Sequence, residues 1–309
     1  MNIAVTELGF GAWGIGGLKV GADTPIRGEE ALGAYLDAGG NFIDTAAAYG
    51  ESEAIIGKTL ADRGVKDGVY VATKTKNGEF ADTLPGIRRD LERSLAKLRR
   101  DYVDIFYLHM PPEDDTVIDA ALGECEKLRA EGKIHGVGAS IKGPAVTSET
   151  VDLCKKYVDT GRVDVIQLVY SILRQKNLAA IEYAHGRGVA IVARTAMESG
   201  FLTGKFRDGF RFPDDDHRQR WNDAVDGIVS AVERIKAKFM PPAYGSVGQL
   251  AVKFALIPEG VTSVIVGAKN ATQQRANEEI AALPDPDAEI VQSLVATFKG
   301  FTGQCNPHE

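Results

Sequence analysis

The chain has 309 residues, of which 44% are hydrophobic and 26% are charged, and this composition is typical of a globular protein with a large core. Its net charge is −7, from 36 basic and 43 acidic side chains. This acidic balance argues against nucleic acid or an anionic membrane as the main partner, because both select clustered Lys and Arg.

The cysteines and the apolar runs argue against further classes of protein. Cys125, Cys154 and Cys305 have no CxxC spacing, so the sequence indicates neither a disulfide framework nor a zinc site, and we expect thiols in a reducing compartment. No apolar run approaches the ~20 residues that span a bilayer. The first residues lack the basic and apolar regions of a secretory signal. We therefore expect a cytoplasmic protein that does not act at a membrane.

Amphipathic stretches alternate with short apolar runs along the chain. In chain order, the amphipathic stretches predict helices over Glu29–Ala38, Ser52–Ala61, Leu84–Leu98, Thr116–Glu131, Ser148–Thr160, Leu178–Arg187, Asp223–Phe239, Val247–Leu256 and Thr272–Ile280. The runs rich in Val and Ile predict strands over Asn41–Asp44, Val69–Lys74, Val103–His109, Gly136–Ser140, Val163–Tyr170, Val189–Arg194 and Ser263–Gly267. Ser52 is a favourable cap for the helix that it begins.

This alternation predicts an α/β fold with a parallel sheet. About eight repeats favour a closed (β/α)8 barrel of the TIM type over an open doubly wound sheet. The glycines of Gly9–Gly11 and Gly14–Gly17 are not framed by the strand and helix that the dinucleotide-binding fingerprint requires. No linker interrupts the pattern, so we expect a single domain over residues 1–309. Residues 206–222, charged and without periodicity, are predicted to form a long surface loop.

Polar side chains stand at or near the carboxyl ends of six predicted strands. In a β/α barrel these ends converge on one rim, where active sites are built. Burial alone gives no reason for this pattern, so we expect a functional site there. The six residues are Asp44, Lys74, His109, Ser140, Gln167 and Arg194.

Three of these residues, together with Tyr49, suggest acid catalysis. A free tyrosine has a pKa of ~10 and is a poor proton donor near neutrality, but a nearby lysine ammonium stabilises the phenolate. Lys74 would serve this purpose, and Asp44 would pair with Lys74 in the crowded mouth. His109 would donate a hydrogen bond to a developing alkoxide or orient the substrate carbonyl. A tyrosine acid reduces nothing without a hydride source, which implies a nicotinamide coenzyme. The sequence contains no metal-ligand quartet, serine nucleophile elbow or Walker loop.

Three segments together resemble the aldo-keto reductase superfamily, in its bacterial type. They are Asn41–Gly50 with the residues that follow it, Val71–Lys74, and Asp101–His109, and the resemblance extends from about Val5 to about Asn277. It implies an NAD(P)H-dependent oxidoreductase that reduces aldehydes or ketones to alcohols, or runs in reverse on sugars and alcohols. Tyr49, Lys74, Asp44 and His109 would be its catalytic tetrad. Because Val5 resembles the start of the family's first barrel strand, the hairpin that usually precedes this strand would be shortened or missing.

The resemblance also implies where a coenzyme would bind. Ser140 and Gln167 would bind the nicotinamide carboxamide, and Arg194, where many members have an aromatic residue, would stack on the ring. Lys269 is the candidate ligand of a 2′-phosphate, which favours NADPH, with NADH as the alternative. The implied coenzyme-binding residues are Trp13, Asp44, Ser140, Gln167, Arg194, Thr195, Met197, Gly200, Leu202, Gly204, Gly267, Lys269, Gln273 and Asn277.

Two other functions remain open on the sequence. The first is a regulatory subunit that binds NADPH and turns over slowly, as the potassium-channel β subunits of this superfamily do. The second is a barrel lyase or isomerase that uses Tyr49 and Lys74 without net redox chemistry. Turnover that requires added nicotinamide coenzyme would favour the reductase over the lyase or isomerase, and tight NADPH binding without turnover would favour the regulatory subunit.

Overall fold

Eight parallel strands form a closed barrel in this computed structural model, which describes residues 3–17, 25–65, 67–75, 84–141 and 148–301. Each strand pairs with the next along the chain, and β8 returns to pair with β1. The strands are β1 (Leu8–Gly11), β2 (Phe42–Asp44), β3 (Tyr70–Lys74), β4 (Val103–His109), β5 (Ile134–Ser140), β6 (Val165–Val169), β7 (Ala190–Arg194) and β8 (Val261–Gly267). The predicted barrel is confirmed, and the open doubly wound sheet is excluded.

Helices surround the barrel and cover the outer faces of the strands. They are α1 (Gly28–Asp37), α2 (Ser52–Asp62), α3 (Leu84–Leu98), α4 (Asp115–Ala130), α5 (Ser148–Asp159), α6 (Leu178–His185), α7 (Val225–Lys238), α8 (Val247–Leu256), α9 (Ala271–Glu278) and α10 (Ala288–Phe298). Short 3-10 helices span Ala12–Ile15, Glu198–Thr203, His217–Ala224 and Glu279–Ala282. None of the helices that the structure describes is long and apolar enough to cross a lipid bilayer.

The predicted helices agree with the observed ones to within about two residues at most ends, which is the usual uncertainty of helix boundaries. One of the described α-helices was not predicted. Helix α10 buries Leu294 and Phe298 against the core, and Ile290, Val291 and Val295 pack there as well. Their helical spacing was readable in the sequence.

Apolar side chains fill the barrel interior. A compact inner cluster comprises Phe42, Ala72, Ile105, Tyr107, Val165 and Val192. Ile3 and Val5, which lie before β1 in residues that form no strand, pack against this cluster together with Tyr70 and Ala190 from the amino-terminal ends of their strands. The segment before β1 therefore closes the amino-terminal end of the barrel, and the functional site must lie at the other end.

The predicted cap at Ser52 is wrong. Helix α2 begins without a side-chain cap, and the Ser52 hydroxyl is instead buried against Thr45, with 2.6 Å between the two oxygens. The next residue, Glu53, accepts a hydrogen bond of 2.7 Å from the hydroxyl of Thr73 in β3. The Ser52 hydroxyl therefore bonds to Thr45 and not to the backbone N–H groups at the start of α2. As a result, the start of α2 is tied to β3 and to the residue that follows β2.

The stretch 206–222 is only partly the surface loop that was predicted. Its last residues belong to the 3-10 helix His217–Ala224, and Phe206, Phe212 and Trp221 are buried. The rings of Phe206 and Phe212 pack 5.1 Å apart, centroid to centroid, and anchor the irregular part of the stretch to the core. The many charged residues of this stretch led to the loop prediction, and the burial of its aromatic residues was therefore not predicted.

Two of the three cysteines lie in the described part of the chain. Cys125 and Cys154 are free and buried, and burial raises the pKa of each to about 12. They are therefore unreactive thiols of the core. Cys305 lies outside the described residues.

Candidate active site

A cleft of about 750 Å³ opens at the carboxyl ends of the strands. Residues after β1, β2, β4, β7 and β8 all reach it, as the convergence of strand ends in a barrel requires. Among the residues predicted from sequence, those that line the cleft are Trp13, Asp44, Tyr49, His109, Arg194, Thr195, Met197, Gly200, Gly267, Lys269, Gln273 and Asn277.

Lys74 and Asp44 form an ion pair at the floor of the cleft. Lys74 Nζ lies 2.6 Å from Asp44 Oδ1, and the two side chains are 0% and 2% exposed. The ammonium also donates to the carbonyl oxygen of Thr45 at 2.8 Å. A buried ammonium is tolerated only when its charge is balanced and its protons find acceptors; Asp44 balances the charge, and the two acceptors bond two of the three N–H groups.

Tyr49 and His109 lie directly beside this pair. Lys74 Nζ is 5.2 Å from the centroid of the Tyr49 ring, and the rings of Tyr49 and His109 meet edge to face, with centroids 5.9 Å apart. The turn that carries Tyr49 rests on Gly16, whose carbonyl oxygen accepts from the backbone N–H of Glu51 at 3.0 Å. The four residues predicted as a tetrad are therefore assembled at one place.

The imidazole of His109 is held neutral. Burial, followed by the positive charges of Lys74 and Arg194, lowers its pKa to about 3. Its Nδ1 atom is buried and makes no hydrogen bond with the described residues. His109 can therefore act here through an N–H group, and not as a cation.

Ser140 and Gln167 lie beneath the cleft instead of lining it. The Ser140 hydroxyl donates to Gln167 Oε1 at 3.0 Å, and Gln167 Nε2 donates to Asp44 Oδ2 at 2.6 Å. With the Asp44–Lys74 contact, these bonds form one chain from β5 through β6 to β2 and β3. Sequence reasoning found its members but missed that they are bonded to each other across the barrel.

Arg194 extends from the end of β7 across the mouth. Its Nη2 donates to the carbonyl oxygen of Ile141, the residue after β5, at 2.9 Å, and Nη1 lies 3.4 Å from the hydroxyl of Thr195. Both partners are neutral, and none of the ion pairs among the described residues involves Arg194. Burial, the largest cause, lowers the pKa of this guanidinium.

The segment after β7 has an unusual backbone. Glu198 and Ser199 have φ values of 49° and 54°, a left-handed conformation that disfavours residues other than glycine, and Gly200 follows at 92°. The left-handed turn brings Ser199 and Gly200 to the surface of the cleft. Two residues predicted to bind coenzyme here do not line the cleft, because Leu202 is fully buried in the core and Gly204 ends the 3-10 helix.

The far end of the cleft is built around α9. The side chain of Asn270 caps this helix by accepting from the backbone N–H of Gln273 at 3.0 Å. The Gln273 side chain in turn accepts from the backbone N–H of Lys269 at 2.9 Å, and Asn277 donates to the carbonyl oxygen of Gly267 at 3.3 Å. The predicted residues of this end are therefore brought together and oriented by one another.

Several cleft residues were missed from sequence. Arg218 pairs with Asp216 at 2.6 Å and lies over the ring of Phe212. His217 meets Trp13 edge to face, with ring centroids 4.4 Å apart. The sequence signal that could have pointed to these two residues was the number of basic and aromatic side chains within the predicted loop, residues 206–222. Polar cleft residues that the sequence did not point to include Arg174, His217, Arg218, Arg220, Ser246 and Gln249.

Comparison with known proteins agrees with this architecture. The aldo/keto reductase family matches residues 7–296. The aldo-keto reductase YhdN of Bacillus subtilis (strain 168) is 30% identical over 294 residues, covering 90% of this chain and 86% of that protein. The NADH-specific methylglyoxal reductase of Escherichia coli (strain K12) is 30% identical over 227 residues, covering 66% of this chain and 67% of that protein.

The fold is also that of a solved relative. The structure of a glycerol dehydrogenase from Gluconobacter oxydans superposes with a TM-score of 0.78 at 26% identity, covering 96% of this chain and 94% of that one. The family match, the sequence relatives and the barrel fold all indicate the same family, and each extends over most of the described chain. The chain therefore belongs to the aldo/keto reductase family of oxidoreductases.

Proposed function

We propose that this protein reduces aldehydes or ketones to alcohols with a nicotinamide coenzyme, with Tyr49 as the general acid. The observation that carries the proposal is the position of Lys74 Nζ, 5.2 Å from the centroid of the Tyr49 ring at the floor of an open cleft. Lys74 is held there by its ion pair with Asp44. A cation held in this way lowers the cost of removing the phenol proton.

The described residues fit a nicotinamide dinucleotide. The cleft, at about 750 Å³, extends from Tyr49 to α9, and its walls carry the basic side chains of Lys205, Arg218 and Lys269. The left-handed backbone at Ser199 and Gly200 opens this part of the wall, and backbone N–H groups are natural ligands of phosphate oxygens. These features suit a long anionic ligand that has its reactive end beside Tyr49.

Each residue of the tetrad then has a defined task. The coenzyme, when bound, supplies the hydride. Tyr49 donates its phenolic proton to the carbonyl oxygen of the substrate, and Lys74 stabilises the phenolate that remains. Asp44 holds the Lys74 ammonium in place. His109, neutral at physiological pH, donates a hydrogen bond that orients the substrate oxygen and stabilises charge that develops there.

The substrate we propose is a small carbonyl compound or sugar. Two relatives are named for methylglyoxal and for glycerol, which are both small and oxygen-rich. The catalytic end of this cleft is bordered by the aromatic rings of Trp13 and Trp221 beside polar groups, a combination that suits such ligands. For the coenzyme we propose NADPH, with Lys269 as the ligand of the 2′-phosphate. One relative is named as NADH-specific, so the two coenzymes must be compared directly.

The test is coenzyme consumption by the purified protein with a panel of aldehydes, ketones and sugars. Tyr49→Phe should lower kcat by ~10²–10⁴-fold, the usual contribution of a general acid, and leave coenzyme binding unchanged. Tyr107→Phe is the matched control, because Tyr107 also lies near Lys74, at 5.4 Å, but is buried inside the barrel and does not line the cleft. It should keep its activity.

The outcomes separate the candidate functions. Full activity in Tyr49→Phe would exclude the proposed acid. Tight coenzyme binding without turnover on any panel member would favour the regulatory subunit instead. Turnover that needs no added nicotinamide would favour a lyase or isomerase.

A further inference from the structure

The cleft carries an excess of positive charge. Asp44 is the one acidic side chain among the described residues that line it, and Lys74 already balances Asp44. The basic side chains that line it are Arg174, Arg194, Lys205, Arg218, Arg220 and Lys269, and of these Arg174 and Arg218 pair with buried acids behind the wall. Phosphate groups of a bound dinucleotide would neutralise several of these, but such groups lie at a distance from the reactive end of the ligand.

Arg194 differs from the other cations of the catalytic end. The buried acids near the cleft each pair with another base, in the pairs Asp44–Lys74, Glu198–Arg174 and Asp216–Arg218. Arg194 bonds only to the neutral oxygens of Ile141 and Thr195. Because a guanidinium stays protonated in proteins, its charge is present beside Tyr49 and His109, without an ion-pair partner among the described residues.

Such a charge must affect the two redox forms of the coenzyme differently. The reduced and oxidised nicotinamide rings have nearly the same shape, but the oxidised ring carries one additional positive charge. A positive ring placed at this end of the cleft is repelled by Arg194, whereas a neutral ring is not. The repulsion is stronger here than in water, because the guanidinium is partly buried.

We propose that Arg194 makes this protein discriminate between the redox forms of its coenzyme, binding the reduced form more tightly than the oxidised form. The proposal rests on the function proposed above. For unit charges several ångströms apart at an effective dielectric constant of about 20, the expected preference is on the order of 10- to 100-fold. The protein is then loaded mainly with reduced coenzyme even when the oxidised form is in moderate excess. That loading favours carbonyl reduction over alcohol oxidation as its working direction.

The experiment measures dissociation constants for NADPH and NADP⁺ by titration calorimetry, without substrate. The wild type should bind NADPH on the order of 10- to 100-fold more tightly. Arg194→Met, which keeps much of the side-chain length and removes the charge, should lower this ratio at least tenfold, mainly by tightening NADP⁺. Arg194→Lys should retain most of the ratio. Lys269→Ala should weaken both forms by the same factor and leave the ratio unchanged.

A coenzyme fragment that lacks the nicotinamide ring, 2′-phospho-ADP-ribose, distinguishes the effect of the Arg194 charge from a disturbance of the cleft by the substitution. Its dissociation constant should be the same for the wild type and Arg194→Met, and a loss of binding would reveal a disturbed cleft. In that case Arg194→Gln replaces the methionine variant. Equal affinity of the wild type for NADPH and NADP⁺, or an unchanged ratio in the uncharged variant, would overturn the proposal and leave the reductase function standing. Failure of the wild type to bind either form would overturn the proposed function itself.

Discussion

Glu198 and Arg174 form an ion pair that is closed off from solvent, with each side chain 1% exposed. Arg174 Nη2 lies 2.7 Å from Glu198 Oε2, and Nε donates to Oε1 at 2.9 Å. Glu198 is one of the residues with a left-handed backbone in the segment that borders the cleft. The pair therefore fixes a strained backbone at the place where a coenzyme would meet it.

Removing one partner of this pair should damage both stability and coenzyme binding. Glu198→Ala removes the carboxylate that pairs with the buried Arg174 guanidinium, and breaking a buried ion pair in this way typically costs about 3–5 kcal/mol of the free energy of unfolding. The relaxed segment should also raise the dissociation constant for NADPH. Denaturation in urea and titration with NADPH measure the two effects.

The control for this variant is Asp104→Asn. Asp104 is also buried and paired, with Arg100 at 3.4 Å, but it lies near the amino-terminal end of β4, away from the cleft. It should lower stability and leave NADPH affinity unchanged. If both variants weakened NADPH equally at matched stability, the Glu198–Arg174 pair would have no specific role in shaping the cleft.

The buried imidazole of His109 should make stability depend on pH. Its pKa is about 3 in the folded protein, against an ordinary value of 6.5. Between these values the unfolded chain binds a proton at this residue and the folded chain does not, so stability is fully present above pH 6.5 and is lost as the pH falls. The loss should approach about 1 kcal/mol per pH unit below pH 6. Urea denaturation at pH 7, 6 and 5 should show a steeper loss for the wild type than for His109→Gln. Parallel profiles would mean that His109 is not held neutral.

Two helix glycines should respond in opposite directions to alanine. A Cβ on Gly57 in α2 would lie 2.4 Å from the carbonyl oxygen of Lys97, so Gly57→Ala should cost about 1–3 kcal/mol. Gly123 in α4 meets only the flexible end of Arg162, at 3.6 Å, and Gly123→Ala should stabilise the protein by about 0.4–1 kcal/mol. Thermal unfolding of both variants measures the difference. Equal effects would contradict the close packing of α2 against the end of α3.

Lys269 should distinguish the two coenzymes. If its ammonium binds the 2′-phosphate, Lys269→Ala should weaken NADPH by about 10-fold or more, as expected for the loss of a charge-assisted contact, and leave NADH nearly unchanged. Titration with each reduced coenzyme tests this. Equal weakening of both would show that Lys269 does not bind the 2′-phosphate.

The sequence predicted those features that depend on local pattern and on barrel symmetry. Asp44, Lys74 and His109 were found because each ends an apolar run, and the fold brings all such ends to one rim. The features that it missed depend on distant partners. Arg174 pairs with Glu198, which lies 24 residues further along the chain. The hydroxyl of Ser52 bonds to the hydroxyl of Thr45 and does not cap its helix. No rule that examines neighbouring residues detects these contacts.

The hydrogen-bond chain from Ser140 through Gln167 to Asp44 and Lys74 links the two halves of the polypeptide. Asp44 and Lys74 belong to the first four strands, whereas Ser140 and Gln167 belong to the last four. A fragment containing either half has only part of this arrangement. In the mechanism proposed above, catalytic competence is thus coupled to closure of the barrel, so that recovery of activity during refolding should report the final joining of the halves and not the formation of either one.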